Sequence, residues 1–285
     1  MCGLFPAVVA TEQTELASGT MLLTLRCPEV ARMIRPGQFV MFRDEQNSDP
    51  LLGRPFALYD TEPADSPEWF QIAYHVIGKQ TSLMVDWEEG RSLRLWGPLG
   101  NGFPGDLRGS RLTFVGGGIG YSPFPAVFRD AVGVREYGKR QVARRFEAVD
   151  LIQGARAADL MTREEFSAEE MGAGLNVERC TDDGSFGRRG RVTDLLSERL
   201  ADERRPSHVF ACGPVPMMVA VAEVCRDAGI PCWLSLETPM ACGFGACFSC
   251  VVPVRDDASE SGWDYRRSCV DGPVFDATTL DLAKL

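Results

Sequence analysis

Leu112-Thr113-Phe114-Val115-Gly116-Gly117-Gly118-Ile119-Gly120 is the stretch on which the reading of the fold turns. A short apolar run ends in glycines, and a helical pattern starts near Ser122-Pro123 and continues through Val127 and Phe128. Strand, glycine loop and helix in that order predict one βα unit of a parallel sheet, with the loop at its carboxyl edge. The alternation then repeats. Residues 148–152 read as a strand ending at Gly154-Ala155-Arg156, 193–200 as a helix and 209–211 as a strand ending at Cys212-Gly213-Pro214. A helix over 217–228 and a strand over 232–236 follow. Strands alternating with helices imply a Rossmann-like α/β domain. The loop is not the G-x-G-x-x-G fingerprint, because Tyr121 stands where the third glycine belongs. Gly116, Gly117, Gly118, Ile119 and Gly120, with Cys212, Gly213 and Pro214 on the same edge, are nucleotide-binding candidates; each turn read singly is equally a plain tight turn.

Upstream the period is different. Thr20–Arg26, 38–43, 69–76 and 92–96 are short and β-rich, punctuated by Pro36-Gly37, Pro50, Gly53, Pro55, Gly90 and Gly97-Pro98. Several short strands at this spacing predict a small antiparallel barrel. The run Gly97-Pro98-Leu99-Gly100-Asn101-Gly102-Phe103-Pro104-Gly105 marks a boundary, so the expected units are 1–104, 105–236 and 237–285. The last is too small to bury itself on its own core. Arg135 to Arg145 is charged and reads as a solvated helix or insertion.

Composition excludes several classes. The 285 residues are 45% hydrophobic and 25% charged, the proportions of a globular chain. A formal charge of −10 disfavours holding a nucleic-acid backbone. No apolar run reaches the roughly 18 residues of a membrane helix. The stretch MCGLFPAVVATEQTE has neither the charge nor the apolarity of a signal peptide, so a cytoplasmic protein is expected. Ten cysteines in a reducing compartment are then core residues, catalytic thiols or metal ligands. Cys2, Cys27, Cys180, Cys225 and Cys232 show no ligand-like spacing and read as core or incidental.

Cys242, Cys247, Cys250 and Cys269 are spaced C-x4-C-x2-C-x18-C. That is the plant-type pattern for a 2Fe–2S cluster, whereas zinc sites more often repeat a short C-x2-C pair. Gly243 and Gly245 give the loop backbone freedom and bring amides near the sulfides. Structural zinc is the second reading. Two further segments precede the α/β unit. Arg54-Pro55-Phe56-Ala57 follows a turn and leads into a strand. Ala73-Tyr74-His75 ends a strand before Gly78-Lys79-Gln80-Thr81, which opens a helix over 82–87. The helix start offers free amides to a diphosphate, with Arg54 as a bidentate partner. His75 taken alone reads as an ordinary strand residue.

The barrel with Arg54-Pro55-Phe56, the glycine loop, Cys212-Gly213-Pro214 with Met217-Met218, and the cysteine tail stand in an order that resembles the ferredoxin–NAD(P) reductase superfamily. Within it, Glu237-Thr238-Pro239-Met240-Ala241-Cys242-Gly243-Phe244-Gly245-Ala246-Cys247-Phe248-Ser249-Cys250 with Cys269-Val270-Asp271-Gly272-Pro273 is similar to the electron-transfer subunits of heteromeric dihydroorotate dehydrogenases. Thr181-Asp182-Asp183-Gly184-Ser185 is similar to another stretch of those subunits.

The resemblance implies FAD in the barrel, NAD(H) on the α/β domain and a 2Fe–2S cluster on the tail. It places Arg54, Pro55, Phe56 and Ala57 against the flavin, and Ala73, Tyr74, His75, Gln80 and Thr81 around the rest of FAD. Cys242, Cys247, Cys250 and Cys269 become the cluster ligands. It further implies an FMN-carrying partner that oxidises dihydroorotate, in a heterotetramer of two copies each, with electrons passing through cluster and FAD to NAD+ in pyrimidine biosynthesis. A flavin is required between the other two centres, since nicotinamide exchanges electron pairs and the cluster single electrons. Ala57 departs from the family's usual serine, which bears on flavin reactivity. A reductase subunit of a hydrogenase, sulfur reductase or oxygenase, and a zinc-stabilised non-catalytic protein, are the alternatives. NADH against NADPH stays open, with Arg156 near the end of the second strand of the nucleotide domain.

Overall fold

The structure is a computed structural model that describes residues 3–9, 13–138, 143–162 and 166–285. Eight short strands build the first sheet: β1 (Gly3–Val9), β2 (Thr14–Ala17), β3 (Thr20–Arg26), β4 (Phe39–Asp44), β5 (Arg54–Ala57), β6 (Asp60–Glu62), β7 (Trp69–His75) and β8 (Ser92–Leu99). Two short helices, α1 (Pro28–Ala31) and α2 (Lys79–Met84), close its ends. The order is β5-β4-β8-β1-β3-β7-β6, with β2 on β3, and the pairings are antiparallel. β8 shows the cause: Leu93, Leu95, Gly97 and Leu99 are buried and the residues between them are not. Alternation of this kind suits a sheet with one face on a core and one toward solvent. The buried faces share one core, which includes Leu23, Leu25, Phe42, Phe70 and Ile72.

The second sheet is parallel for most of its width. β9 (Gly109–Gly117), β10 (Phe146–Ala155), β11 (Leu175–Thr181), β12 (Arg188–Arg189), β13 (His208–Cys212) and β14 (Cys232–Ser235) run in the order β12-β11-β10-β9-β13-β14. Helices α3 (Phe124–Val132), α4 (Ala168–Gly172), α5 (Val192–Ala201) and α6 (Val215–Ala228) connect them. Leu112 to Gly117 is buried without a break, because helices cover both faces of the sheet. Both helical layers have their own apolar core, one around Phe114, Phe124 and Phe210 and one around Val115, Leu196 and Val221.

The tail is stitched to both sheets. β15 (Val251–Arg255) and β16 (Trp263–Arg267) form a hairpin, and β17 (Val274–Asp276) pairs antiparallel with β14, extending the parallel sheet by one strand. Val252, Val254, Phe275, Ala277 and Leu280 share the α5–α6 core, which supplies the burial the short tail lacks by itself. On the other side, Asn101 donates from Nδ2 to the carbonyls of Asp271 (3.1 Å) and Val274 (2.7 Å) and accepts from the Val274 amide (3.2 Å).

Several expectations are corrected. Arg54–Ala57 is itself a strand, paired with β4 through Phe39–Ala57 and Phe42–Arg54. The helix expected over 82–87 starts earlier, at Lys79. Arg135 to Arg145 is no solvated appendage, since Arg135 bonds Asp60, Tyr137 is buried and Arg145 pairs with Asp130. Residues 139–142 of that segment, and Cys2, lie outside the described residues. Cys27, Cys180, Cys225 and Cys232 are buried, matching the core reading. Among the described residues no helix is long and apolar enough to cross a membrane.

Asn101→Ala removes three hydrogen bonds between the sheet-to-sheet connection and the tail. Each such bond contributes about 1 kcal/mol. Urea denaturation of the variant is expected to show a loss of roughly 1–3 kcal/mol; an unchanged midpoint would show that the tail is held by its apolar contacts alone.

Candidate functional site

A cleft of about 640 Å³ opens between the two sheets. One wall is barrel: Arg54, Pro55, Phe56, Ala57, Ala73, Tyr74, His75, Gln80 and Thr81 all line it. The other wall comes from the nucleotide sheet and the start of the tail, with Ile119, Ser122, Pro123 and Cys212, then Ser235 to Met240. The pairing of β5 with β4, and the close of β7 beside α2, bring the barrel residues to one rim.

The barrel wall has unused polar capacity. Gln80 is 4% exposed and its Nε2 has no partner, an uncommon state for a buried amide. Arg54 Nη1 donates to the carbonyls of Leu52 (2.8 Å) and Gly53 (3.1 Å), and no ion pair joins Arg54 to a carboxylate among the described residues. Thr81 is different, because its Oγ1 accepts from the amides of Ile77 (3.1 Å) and Gly78 (3.0 Å). Two of the amides expected to be open at that turn are therefore satisfied within the chain. His75 Nδ1 is 3.1 Å from Thr20 Oγ1, and Tyr74 Oη donates to Gln13 Oε1 at 2.6 Å. Burial, and secondarily Asp86, push the Tyr74 phenol well above its ordinary pKa, so it stays neutral. An unpartnered amide and a cation without a carboxylate, facing an apolar floor, fit a phosphate-bearing aromatic ligand.

The two glycine loops interlock. A β-carbon on Gly120 would stand 2.4 Å from the Cys212 carbonyl oxygen, and one on Gly117 would stand 2.5 Å from Met217 Sδ. The close packing of the first glycine loop on the end of β13 and the start of α6 therefore uses those glycines. Gly118 has φ +55 and open space around it, so it alone presents backbone outward. Of the candidates in these loops only Ile119 and Cys212 line the cleft; Gly116, Gly117, Gly118, Gly120, Gly213 and Pro214 form the edge behind them. Burial, then the nearby Glu237 charge, hold the Cys212 thiol protonated. Glu237, exposed into the cleft yet surrounded by protein, has its carboxyl pKa raised by desolvation. Ala57 contributes a methyl to the cleft, and besides the Tyr74 phenol the residues with hydroxyls there are Thr81, Ser122, Ser235 and Thr238, the last bonded to Ser268.

The four spaced cysteines pair two and two. Cys250 Sγ lies 3.1 Å from Cys269 Sγ, and Cys242 is among the groups that stabilise the Cys247 thiolate. No three His, Cys, Asp or Glu side chains among the described residues close around a single ion. Two thiol pairs suit two metal centres better than one tetrahedral zinc. Ser249, then Cys242, stabilise the Cys247 thiolate, lowering its pKa to about 6, whereas burial and the adjoining Cys250 raise Cys269 to about 12. Trp96 of β8 donates from Nε1 to the Cys242 carbonyl at 2.8 Å. Phe39, Met41 and Leu99 pack on Cys250 and Cys269, and Phe39 also lines the cleft.

Lys79, Glu237, Thr238 and Met240 also line the cleft; they stand within sequence motifs that give Lys79, Thr238 and Met240 no role of their own. Their only signal was position, next to Gln80 and just before Cys242.

An antiparallel half-barrel and a parallel nucleotide sheet flanking one cleft define the ferredoxin-reductase-like fold, here with a cysteine module attached. A family model described as the iron-sulfur cluster binding domain of dihydroorotate dehydrogenase B matches residues 237–281, and one described as an oxidoreductase NAD-binding domain matches 114–223. The dihydroorotate dehydrogenase B (NAD(+)) electron transfer subunit of Bacillus caldolyticus is 38% identical over 272 residues, covering 95% of this chain and 96% of that one. That of Geobacillus thermodenitrificans (strain NG80-2) is 37% identical with the same coverage. Among solved structures, an NADH-dependent reduced ferredoxin-NADP oxidoreductase studied for flavin-based electron bifurcation aligns with a TM-score of 0.77 and 27% identity, over 98% of this chain and 91% of that one. The ferredoxin reductase in carbazole 1,9a-dioxygenase, at TM-score 0.61 and 20% identity over 81% and 67%, shares the fold. The chain belongs to the family of dihydroorotate dehydrogenase B electron transfer subunits.

Gly243 has φ +80, and a β-carbon there would stand 2.2 Å from Met41 Sδ. Gly243→Ala is expected to displace Cys242 and cut bound iron and acid-labile sulfide by at least half, with Met41→Ala in the same chain restoring part of both. Full iron content in the single variant would refute the cradle.

Proposed function

We propose that this chain is the electron-transfer subunit of an NAD+-linked dihydroorotate dehydrogenase, an oxidoreductase subunit that conveys electrons from a dihydroorotate-oxidising partner to NAD+ in pyrimidine biosynthesis. The observation that carries the reading is Phe39, a side chain that lines the inter-sheet cleft and packs on Cys250 and Cys269. Phe39 thus belongs both to the cleft lining and to the buried cluster that holds Cys250 and Cys269.

FAD supplies, when bound, the exchange between electron pairs and single electrons that neither nicotinamide nor a 2Fe–2S cluster performs alone. The chain's own groups do the rest. Phe56 and Ala57 form the apolar wall against the ring system, Arg54 and the amides of α2 hold the diphosphate, and Gln80 Nε2 supplies its unpartnered donor. Thr81 contributes by capping α2 rather than by touching ligand. Ile119 and Cys212 face the nicotinamide side, with Gly118 presenting backbone to the nucleotide. Glu237 keeps a proton on its carboxyl to a higher pH than an open glutamate does. Cys242 with Cys247, and Cys250 with Cys269, ligate the two irons.

The partner of this reading is an FMN-containing catalytic subunit, two copies of each in a cytoplasmic heterotetramer. Phe244, Phe248, Tyr265 and Val270, all exposed, ring the cysteine module and supply an apolar docking face. Phe248 is held at φ +58, with the Arg267 guanidinium 4.8 Å from its ring centre. Neither nucleic acid nor membrane enters this reading. The three proposed units, 1–104, 105–236 and 237–285, correspond to the three cofactor sites.

Anaerobically purified chain is expected to show flavin absorbance with a broad iron–sulfur shoulder and to reduce artificial acceptors with NADH. Orotate should form with NAD+ only when the catalytic subunit is added; a colourless zinc protein would overturn the proposal. Phe248→Ser should weaken association by about 2 kcal/mol, roughly 30-fold in Kd, with the cluster content intact. Equal affinity of variant and unmodified chain would move the docking face elsewhere.

A further inference from the structure

The charged segment that begins at Arg135 has no place in the cofactor chemistry, yet the structure buries its first residues against the barrel. At the centre lies Asp60 of β6, 5% exposed. Its Oδ1 accepts from Tyr137 Oη (2.6 Å) and the Thr61 amide (2.8 Å). Its Oδ2 accepts from Arg129 Nη1 (2.7 Å) and Arg135 Nη1 (2.6 Å). Arg129 of α3 also donates from Nε to Glu170 Oε1 (2.6 Å), and Arg135 to the Thr61 carbonyl (2.8 Å). Two guanidinium groups thus face two carboxylates, and each Asp60 oxygen has two donors. Burial works against the Arg129 charge, yet Asp60, Tyr137 and Glu170 together raise its pKa. Tyr137 stays a neutral donor, its pKa raised by burial and by the Asp60 charge.

Position makes this network more than filling. Asp60 opens β6, three residues after the end of β5, and β6 pairs with β7; Arg54–Ala57 of β5 and Ala73–His75 of β7 wall the cleft on the barrel side. Arg129 stands on α3, the helix that follows Ser122 and Pro123, which wall the cleft on the nucleotide side. Tyr59, beside Asp60, meets Tyr121 edge-on with ring centres 6.5 Å apart. The network therefore ties the two walls together behind the cleft. Fully hydrogen-bonded charge fixes an angle where an apolar interface of equal area tolerates sliding.

We propose that Asp60, with Tyr137, Arg129 and Arg135, is a positioning clamp that sets the distance between the flavin and nicotinamide sites; this rests on the function proposed above. Reacting atoms in such a transfer must meet at about 3–3.5 Å, and a displacement of about 1 Å costs on the order of 100-fold in rate. None of the four clamp residues lines the cleft. Loosening them should lower turnover while leaving the binding of each cofactor alone.

The test uses the holoprotein, with FAD and cluster reconstituted, as Asp60→Asn and Tyr137→Phe variants. The readouts are NADH oxidation by ferricyanide, FAD content and the long-wavelength charge-transfer absorbance that reduced flavin gives only when NAD+ stacks on it. Expected are a fall in kcat of about 10- to 100-fold for Asp60→Asn, KM for NADH within about twofold, full FAD content and a weakened charge-transfer band. Tyr137→Phe, which removes one hydrogen bond and keeps the ring, should show the same changes in smaller degree and decides the matter if Asp60→Asn does not fold. Variants that lose thermal stability but keep kcat and the charge-transfer band would overturn the clamp, leaving a merely structural network. Failure of the functional reading is told apart because the unmodified protein would then lack flavin absorbance or NADH oxidation.

Discussion

The cysteine loop rests on two neighbouring barrel strands, β4 and β8, and the rest of the molecule is arranged around that contact. Phe39 and Met41 point the same way from β4 because side chains two apart share a face. Both pack on Cys250 and Cys269, and Phe39 also reaches the cleft. Gly243 is tolerated where it is because Met41 already fills the space a side chain would need. A one-electron centre and a two-electron centre can exchange electrons usefully only at close range. In this fold Phe39 is common to the cleft lining and to the buried cluster of Cys250 and Cys269.

That arrangement explains why the tail is tied in three ways. It has no core of its own, so Val252, Val254, Phe275, Ala277 and Leu280 enter the α5–α6 layer. β17 completes the edge of the parallel sheet. Asn101 and Trp96 then fix the tail to the barrel by hydrogen bonds to backbone carbonyls. Apolar burial supplies adhesion without direction, whereas these bonds set where the thiols lie. The network around Asp60 does the corresponding task on the far side of the cleft, between barrel and nucleotide sheet.

Much of this was legible in the chain. The continuous apolar run into the glycine loop marked β9 because parallel strands are covered on both faces. The spacing of Cys242, Cys247, Cys250 and Cys269 marked the cluster site because ligand geometry restricts spacing. Other elements carried no local mark. β1 contains Pro6, and β11 reads Leu-Asn-Val-Glu-Arg-Cys-Thr with charge in its middle, so pairing with neighbours rather than pattern makes them strands. Arg54–Ala57 read as a lead-in because four residues with a proline resemble a turn until β4 pairs with them.

Composition and spacing by themselves determined the order of modules, the parallel sheet and the choice of four candidate ligand thiols, because periodicity and ligand spacing are local properties of a chain. Tertiary structure alone decided that Phe39 belongs to the cleft and that Arg135 and the buried Tyr137 are partners of Asp60. The contacts of Arg135 and Tyr137 with Asp60 span 75 and 77 residues of chain. A charged residue looks the same in sequence whether water or a distant carboxylate satisfies it, and only packing tells the two apart.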